Sequence, residues 1–410
     1  MRGGGERLLP AFDQRRAVTA LAQSEPMGTE SAPCLLTGTS ARLPGTRGLE
    51  LVRADSGRPP EVVLRQMIAS DHRPDAFSIN DALGLRRLDD EYFAALPGIR
   101  GGILRRLPLI AAQLLEVLRL RSDVELVLSW SEAVVLPVAL LMLLLRRRPA
   151  HIGVLLWISK PKKALPLGLV KGGVDRFLVP APLQRRFALE RLGLSAKQVP
   201  RLRWFVDTKF WRPGGQMGGM ICCVGREMRD YATFIEAIRP LGISCHIAAG
   251  SVTTDADNPW LRSCPRDLPP GVTIGARAPD ELRHLYEGSR FVVIPLLPSD
   301  TDNGITTALE AFAMGKAVIC TDTPGQVGVL MNGVNCLRVP PGDVVALRRA
   351  IKKLWSDPEL CTQLGTAGRD LVERRHGVDQ WMQAISAAVN GAIADRRGSA
   401  PHKARASNMG

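Results

Sequence analysis

The stretch Met220–Tyr231, MICCVGREMRDY, decides the fold of this chain. Its first five residues, Met220–Val224, are all apolar, which is typical of a parallel strand covered by helices on both faces. Gly225 ends this strand and lets the backbone approach a ligand closely, and Arg226 and Arg229 follow just before a helical pattern. A helix N-terminus with two guanidinium groups favours a phosphate or a diphosphate. A plain strand–helix turn with solvated arginines explains the same pattern.

Apolar strands and amphipathic helices alternate on both sides of this stretch. Later strands are predicted at 244–249, 291–296 and 317–321, and earlier ones at 125–128 and 151–158. A segment rich in glycine and proline, 212–219, separates the two halves. The sequence therefore predicts an α/β protein with two facing, Rossmann-like, doubly wound domains. Ligands are expected in the cleft between them, at the carboxyl ends of the strands.

The domain boundaries follow from changes of composition along the chain. We predict a loose N-terminal segment, 1–30, a first Rossmann-like domain, 31–212, and a second one, 213–378. A further helix, 379–395, follows, and the sequence leaves open whether it returns to the first domain. The residues 396–410 form a polar, basic tail that we expect to be disordered.

The positive charge of the chain is concentrated in one region. The 410 residues carry 54 Lys and Arg against 40 Asp and Glu, a formal net charge of +14, and residues 101–212 hold 20 basic and 7 acidic side chains. This region includes Ile103–Leu120, which we predict to be one amphipathic helix, Arg146–Arg148 and the Lys160–Lys163 loop. A basic amphipathic helix can bind an anionic membrane, but arginines that face water produce the same pattern, so both interpretations stay open.

Composition excludes several classes of protein. A hydrophobic content of 45% excludes wholesale disorder, and an aromatic content of 5% disfavours a nucleic-acid-binding protein. The longest apolar run, Val134–Leu145, is too short to cross a bilayer and predicts a buried helix, with an interfacial membrane position as the alternative. The eight cysteines show no metal-type spacing, so we expect reduced, mostly buried thiols in a cytoplasmic protein.

A second set of candidate residues lies in the stretch Ser299–Lys316, directly after a predicted strand. Asp302 and Glu310 are separated by seven residues, and Glu310 lies well inside an apolar helix, where a lone carboxylate is costly to bury. Glu310 must therefore pair with an arginine or meet a ligand, such as the two hydroxyl groups of a ribose. Asn303 and Gly304 begin the helix and leave free N–H groups for an anion.

Residues 220 to about 389 resemble the donor-binding half of retaining GT-B glycosyltransferases of family 4. The resemblance rests on the two stretches quoted above, on Gly333–Asp343 and on the hinge-like Val206–Pro213. It implies a hexosyl- or other glycosyltransferase that binds a nucleotide-diphospho-sugar in the second domain and a glycan or lipid-linked acceptor in the first. It implies no cofactor beyond the donor substrate. No Asp-x-Asp pair occurs in a convincing setting, so we expect no metal either.

Carried over by position, the resemblance implies a role for each candidate residue. Gly225, Arg226 and Arg229 would contact the diphosphate, while backbone and hydroxyl groups from Asn303, Gly304, Ile305, Thr306 and Thr307 would contact sugar and phosphate. Asp302 and Glu310 are the candidate catalytic residues, with Glu310 on the donor ribose and Asp302 near the donor sugar. Asp302 stands where the family has Glu, and Gly304 is one position away from the family's second glycine. Asp300 is therefore a rival for the role of Asp302.

The acceptor side is less explicit. Trp157, Ser159 and Lys160 lie at the cleft end of a predicted strand, so we take them as candidate acceptor residues, with a solvated loop as the alternative. His151 opens the same strand at the opposite end and is not expected in the cleft. Leu35–Gly45 is a candidate for the glycine-containing loop after the first strand.

Two other functions remain as alternatives. A GT-B-fold sugar-nucleotide epimerase is disfavoured by the unbroken donor motifs, and a basic nucleic-acid-binding protein is suggested by charge alone. We therefore expect a cytoplasmic enzyme of polysaccharide biosynthesis, with the basic region leaving open a peripheral position at the inner face of the membrane. Its expected partners are the donor, the acceptor and, in that case, anionic lipids, and they do not include nucleic acid.

Overall fold

The computed structural model describes residues 48–52, 79, 82–215, 218–249 and 267–398, and the statements below concern these residues. The predictions for the segment 1–30, for Leu35–Gly45 and for residues 399–410 of the tail lie outside them. Residues 396–398, which we assigned to a disordered tail, are described and helical, so that boundary is wrong.

The first domain is built on a five-stranded parallel sheet. Its strands are β1 (Gly48–Leu51), β2 (Leu85–Leu88), β3 (Leu126–Trp130), β4 (Ala150–Val154) and β5 (Arg176–Leu178), in the order β2-β1-β3-β4-β5. The helices are α1 (Asp90–Ala95), α2 (Gly98–Leu104), α3 (Leu109–Leu120), α4 (Glu132–Leu144), α5 (Pro161–Val170) and α6 (Pro182–Glu190).

The second domain is built on a six-stranded parallel sheet. Its strands are β6 (Met220–Val224), β7 (Cys245–Ala248), β8 (Val272–Ile274), β9 (Ser289–Ile294), β10 (Ala317–Thr321) and β11 (Cys336–Val339). The helices are α7 (Tyr231–Ile238), α8 (Pro279–Glu287), α9 (Ile305–Ala313), α10 (Val344–Ser356) and α11 (Pro358–Arg375). The strand order is β11-β10-β9-β6-β7-β8: β7 and β8 are added on one side of β6, and β9 to β11 on the other. Open parallel sheets bind ligands in the crevice at such a switch point, which here lies between β6 and β9.

Burial on both faces explains why β6 is a continuous apolar run. Cys222 and Val224 belong to the hydrophobic core on one face of the sheet, with Ile294 and Phe312. Ile221 and Cys223 belong to the core on the other face. The six cysteines among the described residues are all buried free thiols. The prediction of two parallel, helix-covered sheets is confirmed.

A last helix, α12 (Val378–Gly398), joins the second domain to the first. Trp381, Ile385 and Val389 share a buried cluster with Ile152 of β4. Because each fully buried side chain of this kind contributes roughly 1.5–3 kcal/mol, the helix is firmly attached to the first sheet. Extended residues 201–206 cross between the domains in the other direction, and Val206 N–H donates to the carbonyl of His376 at 2.7 Å.

Two predictions for the basic region are wrong. Ile103–Leu120 is not one helix, because Pro108 lacks a backbone N–H and stands as the N-cap of α3, leaving a break after α2. Arg148 is not a surface charge either. Its guanidinium pairs with Asp175 at 2.7 Å and its side chain is 5% exposed, whereas Arg146 and Arg147 are exposed.

Candidate functional site

The loop after β6 is shaped around one buried arginine. Arg229 is 3% exposed, and its guanidinium donates to the carbonyls of Val224 at 3.0 Å and Glu227 at 2.7 Å. Gly225 has φ +130°, and a Cβ at this position would lie 1.8 Å from Arg229 Nη2. Only glycine therefore lets Arg229 fold across the end of the strand. Arg226, on the same loop, is exposed.

The loops after β6 and β9 are joined to each other. Leu297 N–H donates to the carbonyl of Met228 at 2.9 Å, and Asp230 N–H donates to that of Pro295 at 3.1 Å. Gly304, with φ +83°, then turns the chain into α9. A Cβ on Gly304 would lie 3.5 Å from Arg229 Nη1. These contacts hold the N-terminus of α9 beside the buried arginine.

The first turn of α9 continues this arrangement. Arg229 Nη2 donates to Thr307 Oγ1 at 3.2 Å, while Thr306 is exposed. Ile305 is buried, and the side chain of Asn303 donates to Ser299 Oγ at 2.9 Å, which fixes the loop before the helix. The N–H groups of a first helical turn have no partner within the helix and suit an anion.

Glu310 lies one turn further along α9, and its partner is a tyrosine. Tyr286 Oη donates to Glu310 Oε2 at 2.9 Å, and no arginine among the described residues forms an ion pair with this carboxylate. Burial raises the pKa of Glu310 to about 7, although the Tyr286 hydroxyl and the charge of Arg229 act in the opposite direction. The sequence allows two partners for Glu310, an arginine or a ligand. The described residues contain no arginine paired with it, which leaves the ligand.

Asp302 and Asp300 point to different places. Asp302 is 7% exposed and accepts a hydrogen bond from Trp204 Nε1 at 2.7 Å, on the side of the interdomain crossing. Burial raises its pKa to about 6, and the Trp204 hydrogen bond limits the rise. Asp300 instead accepts from Trp157 Nε1 at 2.6 Å, across the cleft.

The three predicted acceptor residues lie together. Trp157, Ser159 and Lys160 line a hollow of about 410 Å³ with Asp300 and Ser299. Lys160 Nζ lies 3.4 Å from the centre of the Trp157 ring, a cation–π contact. The structure thus separates the candidates into an arginine–Glu310 group, an Asp300–Trp157 group, and Asp302 by itself.

Four residues that organise these groups were not found from the sequence: Glu132, Gln184, Trp204 and Tyr286. Gln184 is fully buried. It accepts from the N–H groups of Ile158 and Ser159 and donates to the carbonyl of Asp300 at 2.7 Å. Glu132 accepts from the Trp157 N–H at 2.8 Å. Each partner lies far away in sequence, so no local pattern signals the contact.

His151 is a core residue, in agreement with its expected position outside the cleft. Its Nδ1–H donates to the carbonyl of Gly173 at 2.8 Å, which leaves Nε2 to accept from Ser129 Oγ at 3.0 Å. Burial lowers its pKa to about 4. The described residues contain no group of three His, Cys, Asp or Glu side chains arranged to hold a metal. They also contain no helix long and apolar enough to span a membrane.

The sequence of the second domain is similar to that of known proteins. Residues 219–357 match the family model described as Glycosyl transferases group 1, which spans both loops of the site. A segment of 61 residues is 38% identical to the protein named "Putative glycosyltransferase EpsD" from Bacillus subtilis (strain 168). That match covers 15% of this chain and 16% of the length of that relative.

Solved structures resemble the chain over both domains. Sucrose-phosphate synthase from Thermosynechococcus elongatus has a TM-score of 0.65 at 15% identity, over 85% of this chain and 100% of that one. The HepE protein of Anabaena in complex with UDP-glucose has a TM-score of 0.61 at 14% identity, over 84% of this chain and 99% of that one. A glycosyltransferase from Rickettsia africae has a TM-score of 0.59 at 13% identity, over 85% and 98%. The chain therefore has the GT-B fold of glycosyltransferases.

Proposed function

We propose that this protein is a glycosyltransferase that transfers a sugar, with retention and without a metal ion, from a nucleotide-diphospho-sugar to a glycan or lipid-linked acceptor. The observation that carries the proposal is the crevice between β6 and β9. There, Arg229, the N-terminus of α9 and the raised-pKa carboxyl of Glu310 meet inside the segment that matches the family model. UDP-glucose is bound by the HepE structure of the same fold, which supports a donor of this class.

The arginines and the helix stabilise the leaving nucleoside diphosphate in this proposal. Arg226 is exposed on the same loop, while Arg229 is already fixed by three hydrogen bonds. Thr306 and Thr307 bring N–H groups of the first helical turn to the same anion. Donors fixed where negative charge develops lower the barrier to departure, so the site needs no large rearrangement during the reaction.

Glu310 accepts hydrogen bonds from the donor ribose. With its pKa near 7 the carboxyl exchanges its proton close to neutral pH, and two ribose hydroxyls would favour the ionised form. The Tyr286 hydroxyl orients Glu310 Oε2 and leaves Oε1 for the ligand. Desolvation of this carboxyl is thus compensated only when the donor is bound.

Asp300 and Asp302 remain rivals for the donor sugar. Asp300 lies with the proposed acceptor residues Trp157, Ser159 and Lys160, at the boundary between the two domains. Asp302 holds the position that the family motif indicates, and it accepts from Trp204. Matched Asp300→Asn and Asp302→Asn variants decide between them, because loss of the residue near the sugar lowers kcat more than it raises the donor KM.

The proposal is tested by donor screening followed by turnover. We expect one class among UDP-, GDP- and ADP-sugars to raise the melting temperature of the protein. That donor should release its nucleoside diphosphate only when acceptor is present, and excess EDTA should not prevent the release. Proton NMR of the product should show the anomeric configuration of the donor. No stabilisation by any donor would contradict the proposal. Conversion of the donor into an epimeric nucleotide sugar, with no nucleoside diphosphate released when acceptor is added, would favour the epimerase. Loss of activity in EDTA would refute metal independence.

We further propose that the first domain binds the inner face of an anionic membrane. Helix α4 exposes Leu143 and Leu144, and α5 exposes Leu169; Leu144 and Leu169 are 75% and 82% exposed. The two helices present one surface, since a Cβ on Gly172, just after α5, would lie 3.3 Å from Leu143 Cδ2. Exposed leucines beside basic residues are typical of interfacial membrane contacts.

Vesicle sedimentation tests the membrane proposal. Leu144→Asp, or Arg146→Ser combined with Arg147→Ser, should lower the fraction that sediments with phosphatidylglycerol-containing vesicles. Arg148 is left intact because its ion pair with Asp175 is structural. Val345→Asp, on an exposed position of α10, is the control and should sediment like the wild type. Equal sedimentation of the wild type and all these variants would refute the membrane proposal.

A further inference from the structure

A cavity of about 380 Å³ lies between the domains, and Arg226, Arg229 and Glu310 of the β6–β9 crevice do not line it. Its walls include Arg185 of α6, Arg201 and Arg203 of the interdomain crossing, and Arg375 at the end of α11. Both domains therefore contribute arginines to it. Ile305, the first residue of α9, also lines the cavity, whereas Thr307 on the same helix contacts Arg229 in the crevice.

The two carboxylates of the same wall are engaged elsewhere: Glu190 pairs with Arg186, and Asp302 accepts from Trp204 Nε1. Among the described residues, none forms an ion pair with Arg185, Arg201, Arg203 or Arg375, although the other arginine of the wall, Arg186, pairs with a glutamate of its own helix. Arg185 instead donates from Nε to the carbonyl of Val199 at 3.1 Å. Burial lowers the pKa of Arg185, and the nearby positive charge of Arg201 lowers it further. Four guanidinium groups thus line one space without ion pairs among the described residues; Arg185 is half-buried, and the other three are exposed.

The remainder of the wall is largely apolar. Leu189, Val329 and Leu371 come from three separate elements and line the same space. The volume lies in the range of small-molecule sites, which are mostly apolar with a few placed polar groups. Guanidinium groups prefer phosphate because they donate two parallel hydrogen bonds to it.

We infer that this cavity binds a phosphate group carried on an apolar body. The inference does not depend on the donor assignment, because it rests on Arg185, Arg201, Arg203 and Arg375, none of which is a donor candidate, although Asp302 and Ile305 also line the cavity. Since both domains supply arginines, the bound phosphate fixes the domains relative to each other. Asp302 forms part of the same wall, so a ligand there lies next to one of the two candidate catalytic carboxyls.

Calorimetric titration of the full chain with three probes tests this inference: octyl phosphate below its micelle concentration, inorganic phosphate, and octanol. We expect octyl phosphate to bind more tightly than inorganic phosphate, and octanol not to bind. Equal affinity of the two phosphates would show a free-phosphate site and overturn the apolar part of the inference. No binding of either phosphate would overturn it altogether.

Matched arginine variants locate the site. Arg203→Gln and Arg375→Gln should each weaken octyl phosphate binding about tenfold, the loss of one charge-assisted hydrogen-bonding group. Arg374→Gln is the control, because Arg374 precedes Arg375 on α11 but donates to the carbonyl of Asp370 and is absent from the cavity wall. Wild-type affinity in both Arg203→Gln and Arg375→Gln, or loss of binding in Arg226→Gln, would overturn the inference. In the second case the phosphate occupies the crevice.

Discussion

Replacing Glu310 by glutamine should make the protein more stable at neutral pH. The glutamine amide can still accept the hydrogen bond from the Tyr286 hydroxyl, but it carries no charge that must be desolvated. Burial raises the pKa of Glu310 from 4.5 to about 7. Each pKa unit corresponds to about 1.36 kcal/mol, so the ionised carboxylate lowers the free energy of unfolding by about 3 kcal/mol above pH 7. Glu310→Gln removes this loss.

The pH dependence gives the prediction its sign. A carboxyl whose pKa is higher in the folded state stabilises the protein below its unfolded value of 4.5, and this stability is lost as the pH rises through about 7. The advantage of Glu310→Gln over the wild type should therefore be below about 0.5 kcal/mol at pH 4.5, about 1.4 kcal/mol at pH 5.5 and about 3 kcal/mol at pH 8. The raised pKa of Asp302 is present in both proteins and cancels in the difference.

Urea denaturation followed by tryptophan fluorescence at these three pH values measures the difference. The same variant should bind the nucleotide-sugar donor much more weakly, since stability gained at a strained site is usually gained at the expense of function. Equal stability of the two proteins at pH 8, or a gain that does not change with pH, would refute the burial argument for Glu310. Unchanged donor binding would refute its role on the ribose.

Three further changes test the site. Arg229→Ala should lower the free energy of unfolding by about 3 kcal/mol in urea melts, because it leaves buried carbonyls unpaired. Arg226→Ala should change the free energy of unfolding by less than about 0.5 kcal/mol but weaken donor binding. Gly225→Ala should abolish donor binding in calorimetry, since the added Cβ displaces the Arg229 guanidinium; retained affinity would contradict this. Gln184→Ala should lower stability by about 2 kcal/mol, because it removes hydrogen bonds to Ile158 and, across the domain boundary, to Asp300. An unchanged urea midpoint would show that these bonds contribute nothing.

Much of the fold could be predicted because the signals are local. Met220–Val224 is apolar on both faces since helices cover both faces of its sheet, and that fact is written in five consecutive residues. Gly225 follows β6, Gly304 precedes α9, and both have a positive φ, which few other residues adopt. Because parallel strands bring their carboxyl ends to one edge, the two loops could be expected to meet.

The contacts across the cleft could not be predicted. Trp204 and Asp302 are 98 residues apart, and Trp157 and Asp300 are 143 residues apart, so only the folded arrangement of the domains brings them together. Tyr286 and Glu310 lie in the same domain but are 24 residues apart, so no local pattern signals their contact either.

Charge was also hard to interpret from the sequence. From the sequence, the basic surplus of residues 101–212 either binds a membrane or faces water. Part of it forms ion pairs instead, such as Arg148–Asp175 and Arg119–Glu116. Another part, Arg185, Arg201 and Arg203, lines the cavity between the domains. A count of charges does not distinguish these positions from those that face water.

The most direct test of the central claim is a crystal structure with a nucleotide-diphospho-sugar bound. We predict that the diphosphate lies at the carboxyl ends of β6 and β9, in contact with Arg226, Arg229 and the first turn of α9, and that the ribose hydroxyls lie on Glu310. A donor bound away from these residues, or a ribose that does not contact Glu310, would contradict the account.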